Sequence, residues 1–245
     1  SDGFSLAAAS PAYDFNINNN TYAAWSWKAA SSDTTNNDGS ITSTVRASQE
    51  SGFSIITYNP NDTVGMSIGH GLSKAPSLVI TKRLDASQDW GVYTNISTGN
   101  TTTNWLSLND ADPYGTGSYM TIKSTTLELP QAGAYWSSAS SNQVAYCFAN
   151  IDGYQRIGSY VGTGTPENFI YTGFEPAWVL IKNTGASSTN WVIVDNKRDN
   201  ADEWLYPNSN AAAYDDSNTY TRFYENGFSV ANNGSYINTS GDSYI

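Results

Sequence analysis

A repeat with a spacing of about one hundred residues constrains this chain more than any other feature. Residues 76–82 read PSLVITK and residues 176–182 read PAWVLIK, so a proline, an apolar run and a lysine recur in the same order. Flanking residues recur as well: Tyr58 with Tyr160, Gly71 with Gly173, Trp90 with Trp191, and Trp105 with Trp204. The spacing varies only from 99 for the last pair to 102 for the first. Changes confined to loops leave such a pattern, so the sequence predicts an internal duplication.

Short runs such as VAYCFA and WVIVD, rich in β-branched and aromatic residues, alternate with clusters of Asn, Ser, Thr, Asp and Gly. This pattern is typical of strands joined by turns, and no segment has the apolar stripe of a long amphipathic helix. We therefore expect an all-β fold of tandem antiparallel β-sandwich, jelly-roll-like units at residues 51–149 and 150–245. Residues 1–50 are expected to hold closing strands of a preceding unit and a linker at 31–50, in which SITSTVR could add a strand.

The repeated stretch itself has the features of a core strand. Pro76 and Pro176 lack an amide hydrogen and suit the first residue of a strand. Gly71 and Gly173, shortly before them, predict a tight turn or bulge. The apolar runs that follow suit a strand buried on both faces, and the lysine that ends each run is expected to reach solvent.

Composition and charge exclude several classes of function. Charged residues make up only 13% of the chain, against a usual value of about 25%, while Tyr and Trp number 17 and 8. Disordered chains show the opposite bias, so this chain should fold. The net charge of −11 argues against binding to nucleic acid or to an anionic membrane surface. No apolar run approaches the length of a membrane span.

The sequence offers little nucleophilic or acid–base chemistry. The one histidine, His70, lies in GHGL, and the matching position of the second repeat is Thr172. A structural role in a turn is therefore favoured over a catalytic base or a metal ligand. The one cysteine, Cys147, lies within VAYCFA, which favours a core thiol over a nucleophile. We expect neither a catalytic residue nor a cofactor.

Acidic residues leave two alternatives open. Calcium could bind at Asp110 and Asp112 or at Asp215 and Asp216, although neither stretch matches a defined calcium loop, so no metal site is predicted. Glycoside hydrolysis needs two carboxylates, and the candidates are Glu167, Glu175, Asp195, Asp199, Asp202, Glu203, Asp215 and Asp216. Only Asp195 lies on a predicted strand, and its match is Thr94. A polysaccharide-degrading module is therefore the second choice.

The stretches YCFANIDGYQRIGSYVGTGT, YTGFEPAWVLIKNT and WVIVDNKRDN resemble a repeated domain in structural proteins of marine tailed bacteriophages. The resemblance covers most of residues 1–245 and carries no catalytic motif. It implies a β-rich structural and adhesive module on the virion surface, in a tail fibre or similar appendage. The partners it implies are other virion proteins, copies of the same chain, and a host-surface glycan.

Aromatic residues are the candidates for glycan contact, since a flat ring can stack on the apolar face of a pyranose. Trp residues that recur in both repeats are expected in the core, and Trp90 and Trp191 should be mostly buried. Binding is instead expected at aromatic residues in loops found in one repeat only, namely Tyr114, Tyr119, Tyr135 and Trp136.

The ends of the sequence predict how the repeat is divided. WSWKA at Trp25–Ala29 resembles the closing strand that contains Tyr146, and the final repeat reaches only SYI at residues 243–245. We therefore expect a window from a longer tandem array, with a strand at 21–28. Residues 1–30 would then pair with another part of the assembly, or else fill the vacant place in the final unit.

Overall fold

The computed structural model describes residues 3–6, 15–96, 105–115, 120–129, 138–198, 203–215, 221–230 and 236–245. Within these ranges the chain forms antiparallel β-strands in several sheets and no helix. The predicted all-β class is therefore confirmed.

Within its described residues the first unit forms ten strands in two sheets. They are β1 (Thr34–Asn36), β2 (Ser43–Ser48), β3 (Phe53–Tyr58), β4 (Met66–Gly69), β5 (Leu78–Arg83), β6 (Gly91–Thr94), β7 (Trp105–Ser107), β8 (Thr121–Ile122), β9 (Thr126–Leu129) and β10 (Gln143–Phe148). The larger sheet has the order β1-β2-β3-β10-β5-β6-β7, and the smaller has the order β4-β9-β8. Side chains from both sheets, among them Ile56, Ile68, Val79 and Leu127, meet in one fully buried core.

The part of the second unit that the structure describes forms nine strands. They are β11 (Tyr160–Val161), β12 (Asn168–Tyr171), β13 (Trp178–Ile181), β14 (Val192–Asp195), β15 (Glu203–Trp204), β16 (Tyr214–Asp215), β17 (Thr221–Tyr224), β18 (Gly227–Val230) and β19 (Ser243–Tyr244). β19 pairs with β11, and a bridge from Tyr244 to Asn183 places it beside β13. β14 pairs with β13, and a bridge from Ile193 to Leu205 places β15 next to β14. β12, β18 and β17 form a separate sheet in that order.

The two units therefore share one order of strands. The series β3-β10-β5-β6-β7 in the first unit corresponds to β11-β19-β13-β14-β15 in the second, and β4-β9-β8 corresponds to β12-β18-β17. Cross-strand partners correspond too, because Val79 lies opposite Tyr93 and Val179 lies opposite Val194. Gly71 and Gly173 both have positive φ, at 72° and 87°, as a tight turn requires. The equal strand order that the duplication predicts is observed.

The stretch expected to be a linker belongs to the first sheet instead. β2 pairs with β3 along its length, and β1 pairs with β2 at the sheet edge. Burial alternates along the start of β2, with Ser43 and Val45 buried and Thr44 and Arg46 exposed. The linker interpretation of 31–50 is wrong, and the alternative of a strand within SITSTVR is right, because β-branched residues at alternate positions suit a half-buried strand.

The strand expected at residues 21–28 is absent, so that prediction is wrong. The two tryptophan side chains of this segment nevertheless pack against both units. The Trp27 ring lies 5.3 Å from Trp178 and 5.9 Å from Phe148, and the Trp25 ring lies 6.4 Å from Trp178. An apolar segment can cover a sheet through its side chains alone, without joining the backbone ladder.

The end of the second unit is a buried strand. Tyr244 is fully buried and lies opposite Tyr160 on one side and Asn183 on the other. In the first unit Gln143 lies between Tyr58 and Arg83 in the same way. Tyr244 therefore corresponds to Gln143, the first residue of β10.

A third apolar cluster joins the two units, and we call it the inter-unit cluster. It consists of buried Val92, Leu106 and Trp191, with Leu78, Ile80, Leu108, Tyr114, Leu180 and Ile245 packed against them. β5 and β13 thus have one face on their own unit's core and the other on this cluster, as their continuous apolar runs predict. Trp191 is 1% exposed, as expected. Trp90 is only partly buried and stacks on Tyr146, with 6.3 Å between ring centroids.

Candidate functional site

Lys182, at the end of the repeated apolar run, is fully buried between the two units. Its Nζ donates to the carbonyl of Ala111 at 3.1 Å, to the carbonyl of Thr189 at 2.7 Å and to Thr189 Oγ1 at 3.1 Å. An ammonium group has three donors, so all of them have acceptors here. Ala111 belongs to the first unit, so this lysine ties the units together. The expectation that it reaches solvent is wrong.

The matching lysine of the first unit contacts the hairpin loop of its own unit only. Lys82 is partly buried, and its Nζ donates to the carbonyl of Gln88 in the loop that follows its own strand. Thr189 lies in the equivalent loop of the second unit. Recurrence of a lysine just before a polar hairpin loop is the sequence signal that could have revealed this contact.

Asp110 and Asp112, considered above as calcium ligands, act electrostatically on Lys182. Burial lowers the pKa of Lys182 to about 8, and these two carboxylates oppose that shift. The amide of Asp112 also donates to Asp110 Oδ1 at 3.0 Å, which orders the loop. Among the described residues no group of three or more His, Cys, Asp or Glu side chains could hold a metal ion.

The lowered pKa of Lys182 gives stability a pH dependence that can be measured. Between about pH 8 and 10 the unfolded chain keeps a proton that the folded chain has released, because the unfolded pKa is near 10.5. The free energy of unfolding should therefore rise with pH, by about 1 kcal/mol per unit at most. Urea titrations at pH 7.5, 8.5 and 9.5 on the wild type and on Lys182→Met test this. Parallel pH profiles for the two proteins would contradict it.

Asp195, the candidate acid on β14, is held as an ion. It is 4% exposed, its Oδ2 accepts from Arg198 Nε at 2.7 Å, and its Oδ1 accepts from the amide of Lys197 at 3.0 Å. Burial acts to raise the pKa of Asp195, but these hydrogen bonds outweigh it and hold the pKa below its usual value. Arg198 also reaches Glu203 Oε2 at 3.4 Å. A general acid needs a raised pKa, so this cluster has the character of a structural ion pair.

The remaining candidate acids are not brought together with this pair. Glu175 is exposed. Glu167 forms an ion pair with Arg222 of β17, which belongs to a different sheet from Asp195. Asp199, Asp202, Asp216 and the side chain of Asp215 lie outside the described residues.

His70 and Cys147 are both enclosed in the first unit. His70 is fully buried, its Nδ1 accepts from the amide of Leu72 at 3.1 Å, and its Nε2 lies 3.3 Å from the carbonyl of Lys123. Burial lowers the pKa of His70 and raises the pKa of Cys147 to about 12. A neutral imidazole and a protonated thiol in these positions stabilise the fold and do not face a substrate.

Of the four aromatic residues predicted to bind glycans, the structure places one. Tyr114 packs in the inter-unit cluster, its amide donates to the carbonyl of Thr184 at 3.0 Å, and burial raises the pKa of its hydroxyl. It is therefore not the exposed ring that the sequence predicts. Tyr119, Tyr135 and Trp136 lie outside the described residues.

Comparison with known proteins identifies the family. A family model described as domain of unknown function (DUF7483) matches residues 1–245, and so spans both units. The chain belongs to this family. Neither the comparison with curated proteins nor the comparison with solved structures finds a match.

The main polar site in the described part of this DUF7483 domain is the junction between its two units. The indole N–H of Trp191 donates to the carbonyl of Ser107 at 2.8 Å, and the Lys182 ammonium donates to Ala111. Each contact links the second unit to the first across the inter-unit cluster. In the described part of the chain no helix is long and apolar enough to cross a membrane.

Proposed function

We propose that this chain is a structural and adhesive module of a surface appendage of a tailed bacteriophage, such as a tail fibre. Its partners in this proposal are other virion proteins, further copies of the chain, and a glycan on the host surface. The resemblance of its repeats to phage structural proteins supports this proposal, and so does the structural use of Lys182, Asp195, His70 and Cys147.

The observation that carries the proposal is the construction of the junction between the units. Interfaces between domains of one chain are usually polar and allow relative motion. Here the contact has an apolar centre at Val92, Leu106 and Trp191, and a buried lysine satisfied by carbonyls of both units. Such a junction restricts motion of one unit against the other, which suits an appendage that transmits force and orientation.

Immunogold electron microscopy tests the proposal. Antibodies raised against the purified chain are applied to intact particles of the phage that encodes it. We expect gold on an appendage, and we expect the same antibodies to slow adsorption of particles to host cells. Particles that stay unlabelled, while the chain is detected in infected cells, would contradict a place on the virion.

A further inference from the structure

Three aromatic side chains lie exposed on one face of the second unit, and we call them the aromatic platform. They are Phe169 and Tyr171 of β12 and Tyr224 of β17, with exposed fractions of 47%, 68% and 38%. β18 lies between these two strands, and its Gly227 is the cross-strand partner of both tyrosines. Because residues two apart and cross-strand partners share a face, the three rings point to the same side of the sheet.

The centre of the platform is covered by the phenyl ring of Phe169. A side chain at Gly227 would place its Cβ only 2.7 Å from Cζ of Phe169, so the ring lies over this buried glycine. The rings of Phe169 and Tyr224 also pack edge to face, with 5.8 Å between centroids. Glycine at position 227 therefore lets the rings pack together as one continuous apolar surface.

The first unit has no aromatic ring at these positions. The sheet β4-β9-β8 has the same strand order as β12-β18-β17, and its register gives position-by-position matches. Phe169, Tyr171 and Tyr224 stand where the first unit has Ser67, Gly69 and Lys123. In the first unit this face is covered by the preceding segment, because Ser40 hydrogen-bonds to Ser67 and Asn36 lies against Gly69. In the second unit the three rings stand exposed together, and clustered exposed apolar groups are a feature of binding surfaces.

A strained residue at the edge of the platform supports this interpretation independently. Glu167 has φ of 62°, and the matching residue of the first unit is Gly65, with φ of 76°. A left-handed backbone is costly for a non-glycine residue, and glycine avoids this cost. The Glu167 carboxylate accepts from Arg222 Nη1 at 2.6 Å, and both side chains are about half exposed. A charged pair therefore lies at the rim of the platform although glycine would relieve the strain at this position.

We propose that the aromatic platform binds pyranose rings of a neutral glycan, an inference that rests on the adhesive function proposed above. The aromatic faces would stack on the C–H faces of the sugar, while Arg222 donates to sugar hydroxyls and Glu167 accepts from them. A neutral ligand is favoured because Arg222 and Glu167 cancel each other and the chain carries a net charge of −11.

The size of the platform favours a glycan over a protein. Three rings exposed to this extent present roughly 300 Å². A stable protein interface needs about 800 Å² from each partner, whereas a few sugar rings need much less. Two copies meeting through this face would also bring two Arg222–Glu167 pairs together and desolvate them, which is costly.

Affinity gel electrophoresis with three neutral pyranose polysaccharides, dextran, laminarin and mannan, tests the proposal. We expect at least one to retard the wild type. The variants Phe169→Ser and Tyr224→Lys, which install the residues of the first unit, and Tyr171→Ser should each weaken retardation at least tenfold. Tyr154→Ser is the matched control, because Tyr154 is 51% exposed but lies away from the platform. Glu167→Gly should weaken retardation while leaving the melting temperature unchanged or slightly higher.

Failure to bind any of the three polysaccharides would overturn the proposal, as would equal retardation of the platform variants and the wild type. Sedimentation that shows self-association of the wild type, lost in Phe169→Ser, would assign the platform to contacts between copies instead. These outcomes are separate from the immunogold result. Labelled virions without glycan binding would leave the module on the virion and remove only the platform's role.

Discussion

Replacement of Trp191 by alanine is expected to lower the free energy of unfolding by about 4 kcal/mol. Trp191 is 1% exposed at the centre of the inter-unit cluster, where it packs against Val92 and Leu106. Its removal leaves a large cavity and deprives the carbonyl of Ser107 of its indole donor. Urea denaturation followed by circular dichroism measures the change.

Trp90→Ala is the matched control, because Trp90 holds the same position in the first unit. Its ring is only partly buried and stacks on Tyr146 at the surface of the larger sheet. We expect the free energy of unfolding to fall by about 1–2 kcal/mol, because Trp90 buries less apolar surface on folding than Trp191 does. Equal losses at the two positions would show that the junction adds nothing to the burial of Trp191.

Replacement of Lys182 by alanine is expected to cost about 3 kcal/mol, the second largest effect. The change removes three hydrogen bonds and leaves the carbonyls of Ala111 and Thr189 without that donor inside the protein. Relief of a buried charge offsets part of this loss. The same urea titration, at pH 7, gives the value.

Lys82→Ala serves as the control, since Lys82 is partly buried and donates to a single loop carbonyl. A loss of about 1 kcal/mol is expected there. If Lys82→Ala proved as costly as Lys182→Ala, closure of the hairpin loop would explain both effects, and the tie between units would be unimportant.

The sequence predicts well that the two units share one strand order, because the repeats keep their apolar runs, prolines and tight-turn glycines at one spacing. It predicts contacts between the units poorly. Lys182 ends a strand and is charged, which usually indicates solvent, and nothing local shows that the loop at Ala111 covers it. Tyr114 lies in a loop found in one repeat only, which predicts exposure, yet it packs in that junction.

The assigned division of the repeat failed where side-chain packing and backbone pairing diverge. The segment that contains Trp25 and Trp27 has the composition of a strand, yet both rings contact Trp178 and the segment forms no strand. Tyr244, by contrast, lies in a buried strand and matches Gln143 in the ladder. Composition alone therefore does not show whether an aromatic segment pairs through its backbone.

The aromatic platform could have been found from the sequence, but only by examining the positions at which the repeats differ. Phe169 replaces Ser67, and Glu167 replaces Gly65 at a position of positive φ. Matches between repeats identify what the fold needs, and the mismatches are where one unit can carry a function that the other lacks.

The inter-unit cluster also shows that equal positions of the repeat have unequal surroundings. Ile80 of β5 and Leu180 of β13 occupy matching positions, and both lie in the cluster. Trp191 and Lys182 contact the first unit, however, whereas the matching Trp90 and Lys82 contact residues of their own unit. The two units therefore meet through unlike sets of residues, and the contact is heterologous, not isologous. A substitution at this contact in one unit has no symmetric counterpart in the other.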